Sequence, residues 1–162
     1  PVTIYEYSSL TCPHCRAFDL ETLPKLKKDY IDNGKVRLVY RDFPLDAVAL
    51  AGAMLARCAG NQRYFGMIEA LFRSQKAIAR SDAPLDELKR IGRFGGMAAK
   101  DVTSCLKNEK LMEGIQSQAK AASKKYKINS TPTFVIEGAV VRGNPDYGYL
   151  KDILNKALAA KK

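Results

Sequence analysis

The strongest constraint on the fold lies in the first 44 residues, where one pattern hands over to another three times. VTIYEYS (Val2 to Ser8) is rich in β-branched and aromatic residues and runs straight into the loop SLTCPHC. From Cys12 onward, Phe18, Leu23 and Leu26 follow helical spacing, and the pattern ends near Asn33–Gly34, where glycine suits a helix C-terminus. KVRLVYRDFP then forms a second short strand, closed by Pro44. Strand, helix and strand in this order make a βαβ unit, whose crossover requires the second strand to lie parallel to the first. Cys12 and Cys15 sit where the first strand gives way to the helix.

From Leu45 the character changes. DAVALAGAMLARCA is alanine-rich and helical, and NQRYFGMIEALFRSQKAIA carries the stripe Tyr64, Phe65, Ile68, Leu71, Phe72 at i, i+3, i+4 spacing. APLDELKRIGRFGG starts on Pro84 and stops at Gly95–Gly96, as a helix with proline at its first position and glycine beyond its end should. MAAKDVTSCLKNE is a further short helix. Strands return only after a long helical run from Leu111 to Lys127: Thr133–Glu137 and Val140–Arg142 flank a tight Glu137–Gly138 turn, a hairpin signature. A helix from Tyr147 to about Ala159 closes the chain. The expected class is α/β, with residues 1–44 and 113–162 in one domain and 45–112 as a helical insertion.

Composition narrows the function less than the pattern does. No run of eighteen or more apolar residues exists, which excludes a helical membrane span in this sequence. The chain opens on PVTIYEYSS, which already has strand character, so a secretion signal is expected to have been removed. The formal charge of +10 raises nucleic acid or an anionic surface as partners. The lysines are scattered, however: Lys25, Lys27, Lys28, Lys120, Lys124, Lys125, Lys127 and the Lys161–Lys162 tail, with no recognition motif among them. Solvated helix faces account for them, and no nucleic-acid partner is expected.

Four cysteines, at 12, 15, 58 and 105, are too few for a disulfide-dense scaffold. A C-x-x-C beside a βαβ pattern reads as a thioredoxin-like redox pair. With Cys12 at the N-terminus of a helix, the thiols lie about a turn apart, within reach of an S–S bond of ~2 Å. The free N–H groups and the positive end of the helix stabilise a Cys12 thiolate. Pro13 fits the first turn because its missing N–H would have no helical partner. His14 can donate to the Cys12 sulfur or, protonated, sit beside it. Cys12 is then the nucleophile and Cys15 the resolving thiol. Two other readings stand beside this one. Zinc would need four ligands, and His14, the only histidine, lies between the cysteines, so Cys58 and Cys105 would both have to approach. Inert buried thiols are the third possibility.

STPTFVI adds a second signal. Alone, Thr131–Pro132 is an ordinary trans strand entry. Beside a C-x-x-C in a βαβ frame it reads as a cis-proline loop that faces the dithiol and offers its backbone to an extended substrate.

Taken together, the strand VTIYEYSS leading into CPHC, YRDFPL at the domain boundary, CLKNE late in the insertion and STPTFVIEG…VRG near the end resemble the DsbA family of bacterial disulfide oxidoreductases over nearly the whole chain. The resemblance implies a thioredoxin fold with a helical insertion, and a Cys12–Cys15 pair that accepts electrons from reduced substrate proteins outside the cytoplasm, in the periplasm. It implies cis Pro132 opposite the pair, reoxidation by a quinone-linked membrane partner of DsbB type, a monomer, and no cofactor or metal. Glu6, six residues before Cys12, matches a position where the family often places a buried acid beneath the dithiol as a proton acceptor. An exposed glutamate on an edge strand is the alternative. Thr131 departs from the valine common in family oxidases and is commoner in isomerases and reductases, which keeps a reductase or isomerase direction open. Cys58 and Cys105 are expected to form a structural disulfide in an oxidising compartment. From a different class, a non-catalytic binding or chaperone module would also tolerate the basic surface.

Overall fold

A computed structural model describes residues 1–162. Strand β1 (Val2–Ser8) leads into helix α1, which covers residues 13–31 and is followed by β2 (Val36–Asp42). β1 and β2 are parallel, in register from Val2 opposite Val36 to Ser8 opposite Asp42. Five helices follow: α2 (Ala47–Cys58), α3 (Tyr64–Arg73), α4 (Gln75–Arg80), α5 (Pro84–Phe94) and α6 (Ala99–Leu106). The long α7 (Glu109–Tyr126) returns the chain to the hairpin β3 (Thr133–Ile136) and β4 (Ala139–Arg142), and α8 (Tyr147–Ala160) ends it. The sheet order is β2-β1-β3-β4, with β3 antiparallel to both neighbours. This is the α/β thioredoxin fold with a helical insertion that the family resemblance implies.

Local chemistry fixes the boundaries. Asp46, Asn108 and Asp146 start α2, α7 and α8 by accepting from the backbone N–H groups of Ala49, Leu111 and Tyr149 at 2.8, 3.0 and 2.9 Å. The β3–β4 turn places Glu137 and Gly138 at φ 48° and 83°, the double left-handed conformation that a two-residue hairpin needs. The stripe at Tyr64–Phe72 does not continue unbroken: the chain breaks at Ser74 into α3 and α4.

Helix α1 is not uniform. α-Helical segments Pro13–Ala17 and Leu23–Leu26 alternate with wider π-helical turns at Phe18–Thr22 and Lys27–Ile31. Pro24 supplies a cause for the first. It has no N–H for the Leu20 carbonyl, and its ring crowds that carbonyl, so the preceding turn widens and Leu23 N–H bonds to Phe18 O instead. The widened turn carries Asp19.

Both faces of the sheet are covered. Val2, Ile4 and Val36 pack with Phe18 and Leu26 of α1 and Leu150 and Leu154 of α8. Tyr7 and Val135 on the other face pack against Ala122 of α7. The helical segments form their own larger core around Leu55, Leu71, Phe72 and Leu88, and this core extends to Leu10, Cys12, Cys15 and Tyr40. The dithiol therefore sits where the helical block meets the sheet. A division at 112/113 falls inside α7, because one helix serves both cores: Ile115 belongs to the helical cluster and Ala122 to the sheet.

Candidate active site

Cys12 is the N-cap residue of α1, with extended backbone (φ −86°, ψ 119°) and Pro13 at the first helical position. Its Sγ–H donates to the Thr131 carbonyl at 3.4 Å, across 119 residues of sequence. The Cys12 pKa is lowered to about 5. The first cause is the Cys15 thiol, which donates to the Cys12 sulfur; burial opposes, and the Thr131 side chain and the backbone N–H groups of Cys15 and His14 add to the lowering. Cys12 keeps only 7% of its surface, more enclosed than a fully exposed nucleophile.

Cys15 is completely buried. Burial drives its pKa far up, and the neighbouring Cys12 sulfur adds to the rise. Ser9 N–H donates to Cys15 Sγ at 3.4 Å. One sulfur is thus set up to hold a negative charge and the other to hold a proton, which is the division of labour a nucleophile and a resolving thiol require.

His14 stands in the first turn with its imidazole exposed and without a hydrogen bond to either sulfur. Its backbone N–H is among the groups that lower the Cys12 pKa. At the second helical position the side chain radiates outward while the N–H points back at the cap. Pro13 is exposed beside it.

The Thr131–Pro132 peptide bond is cis, and both residues are buried against the dithiol. Thr133 Oγ1 donates to Ser130 O at 2.8 Å, and Gly143 N–H to Pro132 O at 3.0 Å, so the loop is tied to its own strand and to the chain beyond β4. Gln75 of α4, 7% exposed, donates from Nε2 to the carbonyls of Leu10 and Cys12, both at 2.9 Å. Arg16 Nε donates to Phe72 O at 2.9 Å. Neither Gln75 nor Arg16 stands out in the sequence, because their partners are backbone groups far away along the chain.

Glu6 lies on the central strand, not an edge, and is fully buried. It shares a sheet face with Val2, Ile4 and Ser8, while Val36, Leu38, Tyr40 and Asp42 occupy the same face of β2. That face is apolar at one end and polar at the other, and the polar end lies under the dithiol. The Glu6 carboxyl is pushed well above the usual range, first by burial and then by the carboxyl of Asp19, which faces it. Asp19 itself is raised to about 6 by burial. Asp19 stands four residues after Cys15, on the same side of α1; that spacing was the available signal for it.

Cys58 and Cys105 are bonded to each other, with Cα atoms 6.1 Å apart, joining the end of α2 to α6. Neither is left to complete a metal site with Cys12 and Cys15, which are both free.

A family model described as Thioredoxin matches residues 1–156. The chain is 32% identical over 162 residues to a Rickettsia conorii protein named for protein-disulfide oxidoreductase activity, covering 99% of this chain and 58% of that one. It is 26% identical over 176 residues to disulfide bond formation protein D of Bacillus subtilis, covering 99% of this chain and 74% of that protein. Among solved structures, Wolbachia pipientis alpha-DsbA1 matches with a TM-score of 0.92 at 30% identity, covering 99% of this chain and 87% of that one. Chlamydia trachomatis DsbA shares the fold, with a TM-score of 0.82 at 16% identity. The chain spans less than two thirds of the length of the Rickettsia relatives.

Proposed function

Because the chain belongs to the thioredoxin family and its structural relatives are DsbA proteins, we propose that it is a thiol–disulfide oxidoreductase that introduces disulfide bonds into extracytoplasmic proteins through Cys12 and Cys15. The observation that carries this reading is the opposed pair of thiols: Cys12 lowered to about 5 and Cys15 buried and pushed up. Stabilising the reduced, ionised form makes the disulfide a stronger oxidant.

The chemistry follows from that asymmetry. In the oxidised protein a substrate thiolate attacks Cys12 Sγ. The Cys12–Cys15 bond breaks, and its electron pair leaves on Cys15, which takes up a proton. Glu6, buried beneath the pair, is the acid placed to exchange that proton. A second substrate thiolate attacks the first substrate sulfur, forms the product disulfide and expels Cys12 as its stable thiolate. Two substrate thiols are oxidised, the protein dithiol is formed, and one proton goes to solvent. Thr131 and Pro132 present the loop against which an extended substrate lies, and the Cys58–Cys105 bond holds the helical block.

Turnover needs reoxidation of the dithiol, for which a quinone-linked membrane partner of DsbB type is the fitting class. No helix here is long and apolar enough to cross a membrane. A monomer acting in the periplasm completes the reading. Thr131 favours a second direction, reductase or isomerase, with the same site.

Equilibration with glutathione tests the direction. The expected potential lies well above that of thioredoxin, about −270 mV. A potential at or below that value sinks the oxidase reading. Cys12→Ser is expected to abolish both insulin reduction and refolding of a scrambled substrate.

A further inference from the structure

Buried polar atoms without hydrogen bonds concentrate in one place. Both carboxyl oxygens of Glu6, Asp19 Oδ1, Ser8 Oγ, Tyr40 Oη, Tyr64 Oη and Thr131 Oγ1 are all enclosed, and none closes a normal hydrogen bond. In a folded core such groups are few, and a cluster of them marks a site with work to do. Those of Ser8, Glu6, Tyr40 and Asp19 adjoin one another. Ser8 Oγ lies beside the Cys15 thiol, the Glu6 carboxyl and the Tyr40 hydroxyl, and Glu6 faces Asp19.

Glu6 has no surface of its own, whereas Asp19 is half-buried, with its Oδ1 enclosed. Asp19 lines a cavity of about 520 Å³ between α1, β2 and α3, whose wall is otherwise chiefly apolar: Leu20, Leu23, Phe65 and Ile68, with Gly66 at its side. The cavity shares no residue with the surface formed by Cys12, His14, Thr131 and Pro132. The π-helical turn at Phe18–Thr22 carries Asp19, and such widened turns recur at functional sites.

We propose that Asp19 is the port through which the buried Glu6 carboxyl exchanges its proton with solvent, by way of the cavity between α1, β2 and α3 and apart from the surface that meets substrate. The proposal rests on the redox reading of Cys12 and Cys15. When a thiolate bonds to Cys12 Sγ and the Cys12–Cys15 bond breaks, the electron pair passes to Cys15. Cys15 takes the proton held by the Glu6–Asp19 pair, relayed by the Ser8 hydroxyl, and Asp19 regains one from solvent. A substrate lying over Cys12 leaves this route open. The other ionisable groups around the pair are Tyr40 and Asp42 on β2, Arg57 on α2 and Tyr64 on α3. Lys27 and Glu69 stand on the cavity wall, paired with Asp32 and Arg73. Arg57 is engaged by Asp42 at 2.6 Å, which leaves the two carboxyls to share their proton.

The test is the rate at which dithiothreitol reduces the oxidised protein, followed by acid quench and alkylation of the released thiols. Asp19→Asn is expected to slow it roughly 100-fold at pH 7, the low end of the usual worth of a positioned acid. It should also remove the inflection near pH 6 from the rate profile, while leaving the absorbance titration of Cys12 in place. Asp19→Ala should be slow and regain rate with added formate, but not with chloride at equal ionic strength. A wild-type rate and profile in Asp19→Asn, or a slow Asp19→Ala that formate does not restore, overturns the port. If the Asp19 variants do not fold, Gly66→Trp narrows the cavity from α3, where an added Cβ meets nothing within 4 Å; an unaltered rate then overturns it. Exchange of the wild-type protein with glutathione tests the redox reading separately, so normal exchange with an unaffected Asp19→Asn refutes the port alone.

Discussion

Gln75 holds Cys12 by the backbone. The side-chain amide of Gln75, from the helical block, donates to the carbonyl of Cys12 at 2.9 Å and to that of Leu10 at the same distance. The loop that delivers the nucleophile is thus fastened to a helix 63 residues further along the chain.

Gln75→Leu keeps the volume and removes the donor. The Leu10 carbonyl then loses its donor and the Cys12 carbonyl keeps only Arg16 N–H at 3.1 Å, which costs about 1–3 kcal/mol of stability. Urea unfolding should show the loss, and the rate of disulfide exchange should fall because the loop is no longer held. Unchanged unfolding would show that the amide is not needed.

Absorbance of the reduced protein at the thiolate band should titrate with a midpoint at about 5 and vanish in Cys12→Ser. Cys15→Ala should raise that midpoint, since the Cys15 thiol is the first cause of the lowering. The sign for stability follows. The folded pKa lies below the unfolded value of ~8.5, so the reduced protein carries a stabilisation that is complete above ~8.5 and disappears as pH falls through about 5. The oxidised protein lacks it, so the gap between their unfolding free energies should widen with pH across that window.

Glu6→Gln should make the protein more stable at neutral and alkaline pH. Burial raises the Glu6 pKa, so the wild-type protein is most stable below the unfolded carboxyl value of ~4.3 and loses stability as pH rises through the folded pKa. The variant escapes that loss, and the two proteins should converge below about pH 4. Urea midpoints measured from pH 3 to 9 would show it; a constant difference would mean that Glu6 is not the group that titrates.

The double variant Cys58→Ala/Cys105→Ala should lose stability while keeping exchange activity. The bond spans a sequence separation of 47 residues, for which chain entropy gives about 4 kcal/mol. Retention of the active-pair chemistry is measured by insulin reduction, and its loss would tie the second disulfide to catalysis.

How legible the site is in sequence depends on how local its parts are. The strand, the C-x-x-C and the helix it opens lie within one βαβ unit, so their patterns carry them. Thr131 and Pro132 are distant, but a proline before a strand is a local mark. Glu6 showed itself as a candidate, while its face did not, because both sides of β1 are covered and alternation alone does not choose between α1 and α7. Asp19 has no part in the sequence reading, although it follows Cys15 by four residues, and the widened turn that carries it traces to Pro24. Gln75 had no mark at all: its partners are carbonyls, which every residue has.

Helix α7 belongs to two cores, with Ile115 in one and Ala122 in the other. A continuous helix cannot melt at one end while its other end stays packed without breaking its own hydrogen-bond ladder. The helical block and the sheet are therefore bound into one cooperative unit, and heating should give a single transition seen alike by far-ultraviolet and tyrosine signals.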